Sequence, residues 1–193
     1  MKIFIDAGCF NGDTILGFLS EDMAYNWEYK QRDDAKDYRI IGFDGHNWEK
    51  EWKKVLEKYP DVDIDFREAI LFNQVTTVGY THSNSWRGHR LDGIHVEHSP
   101  LVKTKGGNLA ESESVDFGAF LSDSFSEEDY IVLKMDIQGS EFPILDQLFE
   151  TGLIHWINEI YIELHSSKRY DREMYRAMLE EEFSAEDRVL SIG

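Results

Sequence analysis

The segment Tyr130–Leu145, YIVLKMDIQGSEFPIL, constrains this chain most, because an apolar run stops abruptly in a charged turn and a helix follows. A short apolar run reads as a buried strand, and burying charge beside it is costly unless the charge is paired or used. Lys134, Asp136, Gln138, Gly139 and Glu141 therefore sit at the carboxyl end of a strand, where open α/β sheets bind their ligands. The same arrangement occurs at the other end of the chain. Lys2–Ile5 is a short apolar strand ending at Asp6, and the turn Asp6-Ala7-Gly8-Cys9-Phe10-Asn11-Gly12-Asp13 leads into a helix over Asp13–Leu19.

Strands and helices alternate between these two units, which is the pattern of a parallel sheet. Arg39–Phe43, Val62–Phe66, Ile157–Leu164 and Arg188–Ile192 read as further strands. Asn47 is placed to cap a helix running to about Tyr59, with Trp48, Trp52, Val55 and Leu56 at helical spacing and Pro60 as its stop. Ser140 is placed to cap the next helix, Pro143 falls in its first turn and Gly152 lies just past its end. Asp171–Phe183 is amphipathic through Met174, Ala177, Met178 and Leu179. Ala69–Phe72 and Val75–Tyr80, joined by Asn73-Gln74, predict an antiparallel hairpin. Val115–Leu121 reads as a short helix or strand, Asp22–Asp37 as a loop or poorly packed helix, and His82–Gly107 as the least regular part. The expected fold is a Rossmann-like α/β domain over residues 1–193, with a mostly parallel central sheet and helices on both faces.

Composition excludes several classes of function. The net charge is −18, and only Lys103–Lys105 and Lys168–Arg172 are locally basic, so nucleic acid and anionic membrane are not expected partners. The acid excess in Glu111–Asp129 and Glu180–Asp187 reads as solvated faces. No apolar run approaches the roughly 20 residues that span a bilayer. The start, MKIFIDAGCF, lacks the apolar core of a signal peptide, so a soluble, cytoplasmic protein is expected. A single cysteine, Cys9, excludes an internal disulfide and any site built on several thiolates. His89, His95 and His98, with Asp92 and Glu97, are metal-ligand types, but their spacing matches no motif and no metal is expected there.

The first turn has two glycines that let backbone approach a ligand closely, yet it lacks both the G-x-G-x-x-G fingerprint and the phosphate-loop lysine. Its carboxylates Asp6 and Asp13 would repel a pyrophosphate and suit a ligand carrying positive charge. S-adenosylmethionine, with its ammonium and sulfonium groups, is such a cofactor. Asp44, ending the second strand in IGFDGHN, is placed to accept hydrogen bonds from ribose hydroxyls, and Glu68, after the third strand, to meet an adenine amino group. Each acid has a plainer reading as a favourable charge at a helix N-terminus, where it is worth roughly 0.3–1 kcal/mol.

With these residues in view, the chain resembles the FkbM-type methyltransferases. The resemblance rests on DAGCFNGDT, FDGHN, the REAI turn, VDFGAFL, LKMDIQGSEFPIL and IYIELH in that order, from Lys2 to about His165. Its most specific part is the K-x-D-x-(E/Q)-G-x-E turn, matched by Lys134, Asp136, Gln138, Gly139 and Glu141. The resemblance implies a class I S-adenosylmethionine enzyme that methylates hydroxyl groups, often on sugars or polyketides. It implies cofactor contacts from Asp6, Gly8, Phe10, Asn11, Gly12, Asp13, Asp44, Gly45, Glu68 and Ala69. Departures are Gln138 where the family commonly has Glu, Asp44-Gly45 where it has Glu-Pro, and Cys9 where it has Ala. Gln138 removes one candidate base. The family's amino-terminal cover and final hairpin are expected to be missing or reduced.

Methyl transfer to an alcohol requires alignment of acceptor oxygen, methyl carbon and sulfur, and the hydroxyl loses a proton. Asp136 is the first candidate for orienting the acceptor or taking that proton, with Lys134 holding it ionised or stabilising a developing alkoxide. Glu163 and His165, at a neighbouring strand end, are second candidates, and a purely structural His–carboxylate pair is the alternative. Ser83, Asn84 and Ser85 suit a sugar, and residues 82–107 with Met23–Asp37 are the expected lid, where Tyr25, Trp27, Tyr29 and Trp86 are placed to stack on a sugar face. Two other functions stay open: a Rossmann-like nucleotide-sugar or NAD-dependent enzyme, and a non-catalytic domain that retains the fold.

Overall fold

Period-2 alternation along the central strands decides how this chain layers. The computed structural model describes residues 1–20, 32–83, 90–96, 108–165, 169–184 and 188–193, without the side chains of 79–83, 90–96 and 108–112. Strands β1 (Lys2–Ala7), β2 (Arg39–Asp44), β3 (Ile64–Glu68), β8 (Tyr130–Met135), β9 (Ile157–Ile162) and β10 (Val189–Ile192) form a six-stranded sheet in the order β10-β9-β8-β1-β2-β3. Every pairing in it is parallel. Among the described residues no antiparallel strand joins this sheet. The order reverses between β1 and β8, which is the topological switch point of a Rossmann-like fold.

Successive side chains of a strand point to opposite faces. Ile3, Ile5 and Ala7 of β1, with Ile131, Leu133 and Met135 of β8, face a core shared with helices α3 (Phe117–Ser124), α4 (Glu141–Thr151) and α5 (Arg172–Glu182) through Leu121, Leu145, Leu148 and Leu179. Phe4, Ile40, Val132 and Tyr161 face the other way, against α1 (Asp13–Leu19) and α2 (Glu49–Lys58). There Phe18 of α1 stacks on Phe4 with ring centroids 3.9 Å apart. Each such side chain taken fully from water contributes roughly 1.5–3 kcal/mol. With helices on both faces, the strands carry near-continuous apolar runs.

Between β3 and β8 the chain builds a second sheet from β4 (Ile70–Phe72), β5 (Thr77–Ser83), β6 (Arg90–Val96) and β7 (Asn108–Asp116), ordered β4-β7-β5-β6. This corrects the hairpin expected across Asn73-Gln74. β4 and β5 are not partners; β7 lies between them, parallel to β4 and antiparallel to β5. The Ser114 hydroxyl donates to the Gln74 carbonyl at 2.7 Å, tying the connection to β7 instead. Residues 90–96, expected to be irregular, pair with β5. Val115–Leu121 divides into the end of β7 and the start of α3, where the Asp116 carboxylate accepts from Ala119 N–H at 2.9 Å.

At helix starts the outcome is divided. Asn47 does accept from Glu49 N–H at 2.9 Å, one residue outside the assigned cap of α2. Ser140 occupies the cap position of α4 but makes no capping bond, and its buried hydroxyl has no hydrogen-bond partner. On α5 Leu179 is buried as expected, but Met174 is 48% exposed and Tyr175 takes its place in the core.

The turns that follow β1 and β8 interlock. Gly8 lies at φ +83°, and a Cβ there would fall 2.0 Å from the Asp136 carbonyl oxygen. At Gly139, φ +107°, a Cβ would meet nothing within 4 Å. Gly139→Ala is expected to lose only the conformational strain, about 1–3 kcal/mol, whereas Gly8→Ala adds a backbone collision and loses more. Urea denaturation of both variants checks this, and equal losses would contradict the interlocking.

Candidate active site

Asp6 and Lys134 are register partners on β1 and β8, and both project toward the α1 face. They are fully buried, with Lys134 Nζ 3.1 Å from Asp6 Oδ1. The Thr14 hydroxyl of α1 donates to the other Asp6 oxygen, and Lys134 Nζ also donates to the Gly8 carbonyl at 2.6 Å. Burial pushes the Asp6 carboxyl up, against Lys134 and Thr14. Burial alone would push the Lys134 ammonium down, but the Asp6 and Asp136 carboxylates outweigh it and hold it above its ordinary value. Neither group opens to the strand ends. Lys134 holds the first turn in place from beneath, and its ammonium is spent on Asp6 and Gly8.

The first turn is shaped from the β2 side as well. Gly8 and Cys9 N–H groups donate to the Phe43 carbonyl at 2.8 and 2.9 Å. Phe10 takes a positive φ of 46°, its N–H donating to Asp44 Oδ2 at 2.9 Å while its carbonyl accepts from the Trp52 indole at 2.7 Å. Asp44 Oδ1 accepts from His46 N–H at 2.9 Å and from the Trp48 indole at 3.2 Å. Burial pushes the Asp44 carboxyl up despite these donors. A carboxylate has about four acceptor positions, so these three contacts leave about one for a ligand hydroxyl. Asn11 and Asp13 bond to each other, at 2.8 Å through the Asn11 amide and 3.1 Å to its oxygen. Gly12 adopts a left-handed conformation at the start of α1. Glu68 accepts from the Asn47 amide at 2.8 Å, Ala69 N–H donates to the Asp44 carbonyl at 2.8 Å, and Gly45 lies between these contacts. Cys9 is buried, which pushes its thiol well up and removes it as a nucleophile.

On the other side of the switch point, Asp136 just past β8 meets Glu163 and His165 just past β9. His165 Nε2 lies 3.7 Å from Asp136 Oδ1 and 3.7 Å from Glu163 Oε1. Its other nitrogen, Nδ1, is 2.9 Å from Glu141 Oε1, which also accepts the His165 backbone N–H at 2.9 Å. Because a carboxylate only accepts, Nδ1 carries the proton and Nε2 is turned toward the two acids. Burial would push the imidazole down, but Glu141 first, then Asp136 and Glu163, hold it above its ordinary value. Glu141 is itself fully buried, and its second oxygen accepts Gly139 N–H at 2.6 Å. Gln138, at a positive φ of 56°, reaches Asp136 with a long 3.4 Å contact.

The structure thus brings Asp136, Glu163 and His165 together and gathers Phe10, Asp44, Gly45, Glu68 and Ala69 at the ends of β1, β2 and β3. It buries Asp6 and Lys134 beneath them. Glu141, which the sequence places in the charged turn without a partner, holds His165, and Trp48 and Trp52, read from sequence only as a helix face, hold Asp44 and Phe10. A lone acid in the first turn of a helix reads as a dipole charge, and nothing local signals that Glu141 reaches a histidine on another strand. Ser83 lies in β5 without a described side chain, and Asn84, Ser85, Trp86, His89, His98, Tyr25, Trp27 and Tyr29 lie outside the described residues, as does the side chain of His95.

A parallel sheet whose order reverses between β1 and β8, with both turns opening at the strand ends, is the Rossmann-like class of α/β fold, and such sheets receive ligands in that crevice. The family comparison supplies the rest: the chain belongs to the FkbM methyltransferase domain family, whose model matches residues 54–188. Comparison with curated proteins and with solved structures gives no match. No helix among the described residues is long and apolar enough to cross a membrane.

Removing one member of a buried ion pair leaves an uncompensated charge, at a cost of about 3–5 kcal/mol. Lys134→Met is expected to lose that much stability, and the double variant Asp6→Asn/Lys134→Met to lose less than the single. Denaturant midpoints for the two proteins check this; a double variant worse than Lys134→Met would show that the pair is not the source.

Proposed function

We propose that this methyltransferase is an O-methyltransferase that uses S-adenosylmethionine and acts on a hydroxyl group, with a sugar or glycan as the acceptor. The observation that carries the reading is the convergence of Asp136, Glu163 and His165 beside the glycine turn after β1. These are proton-accepting groups, and an alcohol is the methyl acceptor that must shed a proton as it reacts.

The family implies S-adenosylmethionine in general, and the residues present suit it. Carboxylates surround the first turn, the nearby ammonium of Lys134 is buried, and Asp44 retains about one acceptor position for a ribose hydroxyl. Phe10, Asp44, Glu68 and Ala69 would hold the nucleoside part. Bound there, the cofactor supplies a methyl group already activated by the sulfonium, and the protein's task is alignment and charge. Asp136 orients the acceptor hydroxyl, and the Asp136–Glu163–His165 cluster receives the developing charge and the proton. Glu141 fixes the ring of His165 so that Nε2 faces that hydroxyl. The sugar preference is supported by the family resemblance. A dinucleotide enzyme shares the sheet order but needs a phosphate-binding turn, and this turn is acidic and lacks its fingerprint.

S-adenosylhomocysteine at 100 times its Kd should stabilise the protein by about 2.7 kcal/mol, a rise of several degrees in Tm. NAD and UDP-sugars should give none. Asp44→Ala is expected to abolish the shift, and Asp136→Asn to keep most of it while methyl transfer to sugars falls roughly 10²–10⁴-fold. A shift with NAD or a UDP-sugar and none with either adenosyl compound would overturn the reading. Retained transfer in Asp136→Asn would overturn the role of Asp136.

A further inference from the structure

We infer that Asp136, Glu163 and His165 form a binding site for one divalent metal cation. Three features lead there. The first is the donor set itself: two carboxylate oxygens and one imidazole nitrogen, all within 4.8 Å of one another at adjacent strand ends. One imidazole with two carboxylates is a donor set that divalent first-row ions accept. The second is the state of His165 Nε2. It is buried, has no hydrogen-bond partner, and points between two carboxylates that each stop 3.7 Å away. That separation is too long for a hydrogen bond, so the inward-turned nitrogen is left unsatisfied by the protein.

The third is the support behind the ring. His165 Nδ1 is held at 2.9 Å by Glu141, a carboxylate with no solvent exposure that is anchored in turn by Gly139 N–H. A carboxylate behind the distal nitrogen of a histidine is how proteins fix a metal-ligating imidazole and raise its basicity. A merely structural His–Glu pair would not require two further acids in front of the opposite nitrogen. Like charges drawn together at a half-buried site are favoured by a cation between them.

A cation with ligand bonds of about 2.1 Å sets neighbouring donor atoms about 3 Å apart. His165 Nε2 lies 3.7 Å from each carboxylate, so side-chain rotation moving the donor atoms by under about 1 Å would reach it, and the Glu163 side chain is 45% exposed. Three protein ligands leave positions for water or for a ligand oxygen, as in catalytic rather than structural metal sites. With the cation bound, a hydroxyl held there would be acidified by it and its proton would pass to solvent, in place of direct transfer to the three side chains. That use rests on the O-methyltransferase reading above; the binding of the cation does not.

The test is titration of the full-length protein, stripped with a chelator and dialysed, with Mn(II) alone, following free Mn(II) by electron paramagnetic resonance. The wild-type chain is expected to bind one equivalent. Glu163→Gln, at a partly exposed position where folding is safe, and His165→Gln should each weaken binding at least tenfold. Tm in the presence of S-adenosylhomocysteine, measured on the same samples, separates this from the functional reading. An adenosyl-induced shift without stoichiometric Mn(II) binding overturns the metal site and leaves the methyltransferase reading intact. Stoichiometric binding lost in the variants supports the site whether or not that shift appears. Equal Mn(II) affinity in wild type and the Glu163→Gln/His165→Gln double variant overturns it.

Discussion

The ion pair between Asp6 and Lys134 is the contact on which the rest of this architecture depends. It joins the two strands at which the sheet reverses its order, and both of its members are fully buried. Two charges there are tolerated because each finds more than one partner: Thr14 for the acid, the Gly8 carbonyl for the base. The consequence is geometric. Gly8 is drawn against the backbone of Asp136, so the turns after β1 and β8 are held in one fixed relation. Helices α1 and α4 leave from the two turns so fixed, and the crevice between them is where a Rossmann-like sheet receives its ligand.

Much of this was legible from residues alone. Apolar runs ending in charge located β1, β2, β8 and β9, and the resemblance to the FkbM family was visible in the motifs those runs carry. What local pattern missed was pairing between distant segments. Asn73-Gln74 looks like a two-residue hairpin loop, but β4 pairs instead with β7, whose sequence gives no sign of where its partner lies. Lys134 and Asp136 look equivalent when written side by side. One is the last-but-one residue of a buried strand and the other lies beyond its end, so one is sealed in and the other faces the crevice. Glu141 shows the same limit: its partner His165 lies on a different strand end.

The family match and the site divide the chain differently. Residues 54–188 include Asp136, Glu141, Glu163 and His165, along with Glu68 and Ala69. Asp6–Asp13 and Asp44 fall before that span, so the part proposed for them rests on geometry and charge. The parallel pairing of β1 with both β2 and β8 makes the two parts one sheet, and the Phe43 carbonyl that receives Gly8 and Cys9 belongs to the unmatched part.

A centre strand, one of whose partners lies more than a hundred residues further along, also sets the order in which the sheet is assembled. β1 is made well before β8, the neighbour that begins at Tyr130. At ordinary synthesis rates that neighbour follows on the order of ten seconds later. Through that interval Ile3 and Ile5 lack the core that Phe117 and later residues supply, and the acid at position 6 has no Lys134 beside it. Long-range parallel pairing of this kind is inherently slow, because loop closure is opposed by entropy before any contact rewards it. A nascent chain that stops short of β8 therefore holds the nucleus of the sheet with one side open, and folding to completion waits on Lys134.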